Sequence, residues 1–168
     1  MSPTMIRESN FRALLSPVDA ARRAYVERVY QGRIVFTNGV FDILHRGHLE
    51  YLEEARRLGT ILFVGLNSDE SVRRIKGPNR PVNSQDDRAH GLACLRFVDH
   101  VVIFDEDTPA ALIAAINPHI LVKGGDYKPG EVVGADFVAK AGGQTVILPL
   151  REGYSTSGMI SLIRERFR

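Results

Sequence analysis

A single cysteine, Cys94, stands in a chain of 168 residues, so no internal disulfide can brace the fold. It lies within an apolar helical pattern and outside any metal-ligand or redox spacing, which fits a reducing cytoplasm. Long apolar runs are also missing. No stretch approaches the roughly 20 residues that a membrane helix needs, and Met1 to Asn10 lacks the apolar core of a signal peptide. A cytoplasmic protein with no membrane partner is the expectation. Nor is there an excess of one charge: 22 Lys and Arg stand against 20 Asp and Glu, for a net charge of +2. So small an excess argues against a nucleic-acid surface and directs attention to small anions as partners. Neither an internal repeat nor a low-complexity tract interrupts the chain. Its length fits one domain that buries a core unaided by metals or cross-links.

Residues 1–32 read as an N-terminal helical extension, with Ser16-Pro17 opening a helix that ends near Tyr30 and Gly32 as its stop signal. From Arg33 onward short apolar runs alternate with amphipathic segments. Strands are expected at Ile34 to Phe36, Ile61 to Leu66, Val101 to Phe104, Ile120 to Val122 and Val146 to Leu148, all rich in branched residues. Helical patterns fall between them at Gly47 to Leu58, Gln85 to Phe97, Pro109 to Ile116 and Val133 to Ala141, and a last helix runs from about Ser157 to Phe167. Ser84 with Asp87 makes a capping box, and Thr108-Pro109 reads as an N-cap followed by proline at the first helical position. Alternation of this kind predicts an α/β domain over 33–168, a doubly wound five-stranded parallel sheet of Rossmann-like form. In such sheets ligands bind beyond the carboxyl ends of the strands.

Four clusters carry chemistry at such places. The first runs from Thr37 through Asn38-Gly39-Val40-Phe41-Asp42 to His45-Arg46-Gly47-His48, leaving the first strand and entering a helix. Gly39 allows close backbone approach, and Gly47 and His48 occupy a helix start, where free N–H groups and the helix dipole favour phosphate. A lone histidine there reads as a helix cap or a core hydrogen-bonding group; the pair reads as two imidazoles facing one anion. Zinc is disfavoured, because no third ligand falls at a suitable spacing nearby. In the second cluster, Lys123-Gly124-Gly125-Asp126-Tyr127, a lysine ends an apolar strand and reads as aimed at an anion rather than as a solvated loop lysine, while Asp126 could hold a metal, orient a ligand hydroxyl or pair with Lys123. The third, Gly153-Tyr154-Ser155-Thr156-Ser157, places hydroxyls before the final helix, as N-cap, as phosphate cradle, or as both. In the fourth, Lys76 to Asn83, Arg80 is a candidate phosphate ligand. Arg73 and Arg74 read as a solvated face, and Arg88 as a bridge to a neighbouring carboxylate.

The first and third clusters resemble the signature motifs of the cytidylyltransferase-like nucleotidyltransferase superfamily. Within it, the chain is similar to bacterial D-glycero-β-D-manno-heptose 1-phosphate adenylyltransferases over roughly Arg33 to Phe167. Asn67-Ser68-Asp69, Lys76-Gly77, Arg80 to Asn83 and Leu121 to Pro129 carry that narrower likeness, and Lys123 to Pro129 is its most specific run. The resemblance implies transfer of AMP from ATP to the sugar phosphate, with Mg²⁺ accompanying the nucleotide and no dedicated protein cage for the metal. It gives His45, His48 and Lys123 catalytic roles on phosphate. Asn38, Gly39, Val40, Phe41, Gly47, Gly124, Asp126, Ser155 and Thr156 would line the nucleotide site, with Ser155 and Thr156 on the β- and γ-phosphates. It also implies the stand-alone form of an enzyme often fused to a sugar kinase, and a homodimer or higher homo-oligomer. Many superfamily members carry an arginine within or just before the serine/threonine motif; Leu150 and Met159 occupy the nearest positions here, and Arg151 is displaced by one residue. The alternatives are the same chemistry with another pair, such as CTP and a polyol phosphate, and a catalytically silent nucleotide-binding module.

Overall fold

The computed structural model describes residues 13–125, 127–128, 131–151 and 153–167. In chain order the elements are α1 (Pro17–Val29), β1 (Ile34–Gly39), α2 (Arg46–Arg57), β2 (Ile61–Asn67), α3 (Asp69–Lys76), α4 (Gln85–Ala93), β3 (His100–Phe104), α5 (Ala110–Ile116), β4 (Ile120–Gly124), α6 (Ala135–Lys140), β5 (Gln144–Leu148) and α7 (Thr156–Arg166). The five strands form one sheet in the order β3-β2-β1-β4-β5, and every ladder is parallel. The expected doubly wound α/β fold is therefore present.

Period-two alternation explains why helices cover both faces. Ile34 and Phe36 of β1 with Ile61 and Phe63 of β2 join a core that includes Ala20 and Ala24 of α1 and Ile113 and Ile116 of α5. Their neighbours Val35, Leu62, Val64 and Leu66 point the other way, onto Tyr51, Leu52 and Ala55 of α2 and Ala89 and Leu92 of α4. Successive strand residues face opposite sides, so a continuous run of branched residues must be buried on both. Phe36 and Phe63 are fully buried, and each contributes roughly 1.5–3 kcal/mol by leaving water.

Several boundaries differ from the sequence expectation. β1 continues to Gly39, because Asn38 and Gly39 still pair with Gly65 and Leu66 of β2. The helix expected over Gln85 to Phe97 stops at Ala93, with Cys94 as its C-cap. Ser84 caps that helix as expected: its Oγ accepts from Asp87 N at 3.2 Å and donates to Asp87 Oδ2 at 2.6 Å. Thr108 is not the N-cap of α5; Pro109 holds that position without a side-chain cap. The extension before β1 is packed into the domain, since Ala20 and Ala24 are buried. In addition, Leu14 bridges to Val101 in parallel, with Leu15 N donating to Val101 O and Val101 N to Ala13 O. That short segment covers the outer edge of β3. Among the described residues no helix is long and apolar enough to cross a membrane.

Candidate active site

β1 and β4 are neighbours in the sheet, yet the chain leaves them for opposite sides, to β2 and to β5. This is the topological switch point, where a crevice opens beyond the carboxyl ends. The β1–β4 ladder pairs Val35 with Ile120 and Phe36 with Leu121, whereas the β1–β2 ladder runs on to Gly39. Side chains take over between β1 and β4. The Tyr51 hydroxyl from α2 lies 2.6 Å from Thr37 Oγ1 and donates to Val122 O at 3.3 Å. Burial pushes the Tyr51 phenol well up, against the opposing hydrogen bond from Thr37, so it stays protonated. One residue further along, Lys123 Nζ donates to Asn38 Oδ1 at 3.4 Å.

Lys123 has no carboxylate partner among the described residues. Its ammonium lies 5.9 Å from the centroid of the Tyr127 ring, and burial lowers its pKa. A half-buried cation held by one amide oxygen and a ring face is short of negative charge, a shortage that an anionic ligand would fill. Lys123→Ala is expected to cut kcat/KM by about 10²-fold, the scale of one charge-assisted contact to phosphate lost from a dry site. Steady-state kinetics beside a melting curve check this. An unchanged kcat/KM in a folded variant would make the lysine a solvated residue with no part in turnover.

His45 is the N-cap of α2, its backbone extended and its Nδ1 accepting from His48 N at 3.3 Å. The capping role foreseen for a lone histidine is thus filled by His45, and it leaves Nε2 to carry the ring proton. The His48 ring stacks on His45 with centroids 3.7 Å apart and planes at 17°, and meets the edge of Phe41 at 5.3 Å. His48 Nδ1 is buried without a well-formed hydrogen bond. Burial first, and the neighbouring His45 second, lower the His48 pKa to about 4, with the Ile43 backbone pulling the other way. Burial also lowers that of His45. Both imidazoles are neutral near pH 7, so each carries an N–H that can donate and no charge.

Phe41 is nearly buried and has φ +46°, a left-handed conformation that costs a bulky residue on the order of 1–3 kcal/mol. The bend lays its ring over Gly39, where a Cβ would stand 2.9 Å from Phe41 Cε2. Gly39 is therefore required by the ring that also supports His48. At Gly47 a Cβ would press on His45 Nδ1 and Tyr154 Cβ, each at 3.2 Å, so the start of α2 closely approaches the loop before α7. Ser155 caps α7 by accepting from Gly158 N at 3.0 Å, and Thr156 is the first helical residue. Arg151 Nη1 bonds both Glu50 oxygens at 2.9 Å and lies 5.7 Å from the Tyr154 ring centroid.

Sequence reasoning gave no role to the bracing behind this loop. Asp42 is buried and accepts from Val82 N at 2.8 Å, Asn83 N at 2.9 Å and Arg80 Nε at 2.6 Å, while Asn83 Nδ2 donates to Asp42 O at 2.6 Å. Arg80, expected on a substrate phosphate, is tied by its Nε to this carboxylate. Arg88 bridges to a carboxylate as expected, Nη2 reaching Asp69 Oδ1 at 2.8 Å, and it also donates to Val40 O at 2.7 Å and Asn83 O at 3.1 Å. Val40 thus enters the site through its backbone. Arg73 and Arg74 make exposed pairs with Glu70 and Asp107, in keeping with a solvated face. Tyr51 had a readable signal, its place three residues after His48 on the same helix face. Asp42 had none, because its partners are 38 to 41 residues away, and the bond from Arg88 to Val40 O, 48 residues away, was equally unreadable. Asp126 lies outside the described residues.

An α/β sheet with Lys123 and the start of α2 at its switch point has the form of a nucleotide-binding class, and sequence comparison narrows it. Residues 36–157 match the family described as Cytidylyltransferase-like, and the chain belongs to that family; it is a nucleotidyltransferase. Among similar proteins, "Bifunctional protein HldE" of Trichlorobacter lovleyi is 52% identical over 157 residues, covering 93% of this chain and 31% of the relative. The protein of the same name from Campylobacter concisus is 58% identical over 133 residues, 79% of this chain and 27% of the relative. The chain thus spans less than a third of the length of these relatives. A crystal structure described as the lipopolysaccharide core biosynthesis protein from Thermoplasma volcanium GSS1 superposes with a TM-score of 0.59 at 28% identity, covering 74% of this chain and 99% of that one.

Proposed function

We propose that this chain transfers AMP from ATP to D-glycero-β-D-manno-heptose 1-phosphate, releasing pyrophosphate and forming ADP-heptose for lipopolysaccharide or another surface glycan. The observation that carries this reading is the convergence at one crevice of Lys123 Nζ beside Asn38 and the stacked His45 and His48. The similarity to proteins named HldE and to a lipopolysaccharide core biosynthesis protein supports the choice of product.

A phosphate monoester is already ionised at neutral pH and needs no side-chain base. One of its oxygens attacks the α-phosphorus in line, the O–P bond to that oxygen forms, the bond to the β-phosphate oxygen breaks, and pyrophosphate leaves with the electron pair. Catalysis then consists of holding two anions together and stabilising charge that grows on the α-phosphoryl oxygens. Neutral His45 and His48 donate to those oxygens, Lys123 balances phosphate charge, and Ser155 and Thr156 serve the β- and γ-phosphates. Asn38, Gly39, Phe41, Gly47 and Gly124 shape the nucleotide site, and the Arg80 Nη groups remain to reach the sugar phosphate.

Among the described residues no group of three or more His, Cys, Asp or Glu side chains gathers as a metal site. The crevice groups named above are imidazoles, an ammonium, an amide and hydroxyls rather than carboxylates, a poor match for a hard cation, so Mg²⁺ fits best on triphosphate oxygens with its own waters. Bound there, it would supply charge neutralisation to the leaving pyrophosphate. Activity is accordingly expected to need Mg²⁺ or Mn²⁺ and to vanish in excess chelator while the melting temperature is unchanged. Full turnover in a preparation shown by elemental analysis to be metal-free would contradict this. The proposed assembly is a homodimer or higher homo-oligomer, which small-angle scattering on the purified protein tests. For the reaction itself, the deciding experiment is a pyrophosphate-release screen pairing each nucleoside triphosphate with sugar and polyol phosphates. Turnover of another pair with none from ATP and the heptose phosphate would overturn the substrate assignment and leave the chemistry standing.

A further inference from the structure

At the opposite end of the sheet, a cavity of about 440 Å³ is lined by Gln31, Gly32, Arg33, His119, Gly142, Gly143 and Gln144. Arg33, His119 and Gly143 immediately precede β1, β4 and β5, so the cavity sits at the amino ends of the strands, a sheet's length from the crevice. No carboxylate lines it. Glu27 comes close to Gly32 but is paired with Arg23.

The histidine here has a defined tautomer. His119 Nδ1 accepts from Ile34 N at 3.0 Å, so in the neutral ring the proton belongs to Nε2. Nε2 in turn faces Arg28 Nη1 at 3.5 Å, while Arg28 Nη2 is occupied by the carbonyls of Ile116 and Asn117 at the end of α5. Two donors therefore point at one another with no acceptor between them, and Arg33, which forms no ion pair with any described residue, adds a second guanidinium. After burial, the charges of Arg28 and Arg33 are what lower the His119 pKa. An acceptor with negative charge resolves all three features together, because it takes hydrogen bonds from Nε2 and from Arg33 and offsets the charge of Arg28 beside them.

We propose that this cavity is an anion-binding site, distinct from the nucleotide crevice, which takes the phosphate group of a small metabolite or free phosphate through Arg33 and His119 of its lining, with the Arg28 charge behind the His119 ring. Its volume falls in the range of small-molecule sites, and the open mouth at Gly142, where a Cβ would meet nothing within 4 Å, admits a phosphate that carries a substituent.

The test is an NMR titration of the full chain, following the His119 ring and the Arg33 amide at constant ionic strength. The probes are inorganic phosphate, glucose 1-phosphate and glucose. Saturable shifts are expected with the two phosphates and none with glucose; tighter binding of the ester identifies a metabolite as occupant, tighter binding of the free ion identifies phosphate. Arg33→Ala is expected to weaken both roughly tenfold, the usual size of one charged hydrogen bond lost, while shifts at His45 and His48 persist. Gln144→Glu, which keeps the side chain's size, places a carboxylate on the exposed lining, and is expected to abolish binding should the arginine variant not fold. Shifts reproduced by sodium chloride alone, or equal phosphate affinity in either variant, would sink the proposal, whatever the outcome for the nucleotide site.

Discussion

Replacing His48 by alanine is expected to lower kcat by roughly 10²–10³-fold while ATP affinity stays near that of the unaltered chain. The reasoning starts from the ring's surroundings. His48 is pressed between His45 and the Phe41 edge, and burial holds it neutral, with a pKa of about 4. A neutral imidazole attracts the ground-state triphosphate weakly, but its N–H strengthens as charge grows on the α-phosphoryl oxygens. Such an interaction appears in kcat more than in binding. His48→Asn, which keeps an amide donor at similar reach, is expected to recover part of the rate. The competing structural role is already filled, since the cap of α2 is the His45 side chain. ATP affinity, kcat and melting temperature on both variants separate the two roles: lost stability with unchanged kcat would leave the histidine pair purely structural.

The second large effect is on stability and falls on Asp42. Its side chain is fully buried against a guanidinium that is itself mostly covered. Asp42→Ala removes the acceptor for Val82 N, Asn83 N and Arg80 Nε and leaves Arg80 without its counter-charge, so a loss of about 3–5 kcal/mol is expected, as for other broken buried pairs. Urea unfolding at neutral pH measures it. The pH dependence has a definite sign. Burial acts to raise the Asp42 carboxyl, but the N–H groups of Asn83 and Val82 and the Arg80 guanidinium outweigh it and hold the pKa below the ordinary value. A depressed folded-state pKa stabilises fully above the unfolded value, and that contribution disappears as pH falls through the folded one. The gap between the native chain and Asp42→Ala should accordingly narrow in acid, below the usual carboxylate range. A gap that stays constant down to that range would mean the carboxylate's charge contributes nothing.

Much of the crevice is legible along the chain because its parts lie where local rules act. Strand ends, helix starts and glycines are signalled within a few residues, and those signals brought Asn38 to Phe41, His45 to His48, Lys123 and Ser155-Thr156 to one side of the sheet. Boundaries were less legible. β1 runs on to Gly39 because β2 offers partners for it, a gain that no local propensity contains. The segment at Leu14 was unreadable for the same reason, since it forms only against the open edge of β3.

The order of apolar and polar residues by itself determined that the chain folds as a parallel α/β domain, and its motifs carried the resemblance that the family match bears out. The fold follows from periodicity and short-range stereochemistry, which one sequence carries whole. Only the tertiary structure decided which donors meet which acceptors across long separations. It tied Asp42 to Arg80 and Arg88 to Val40 and Asp69, seated the Tyr51 hydroxyl between β1 and β4, and set His119 Nε2 against Arg28. These contacts are energies of proximity, and proximity between residues tens of positions apart exists only after the whole sheet has closed.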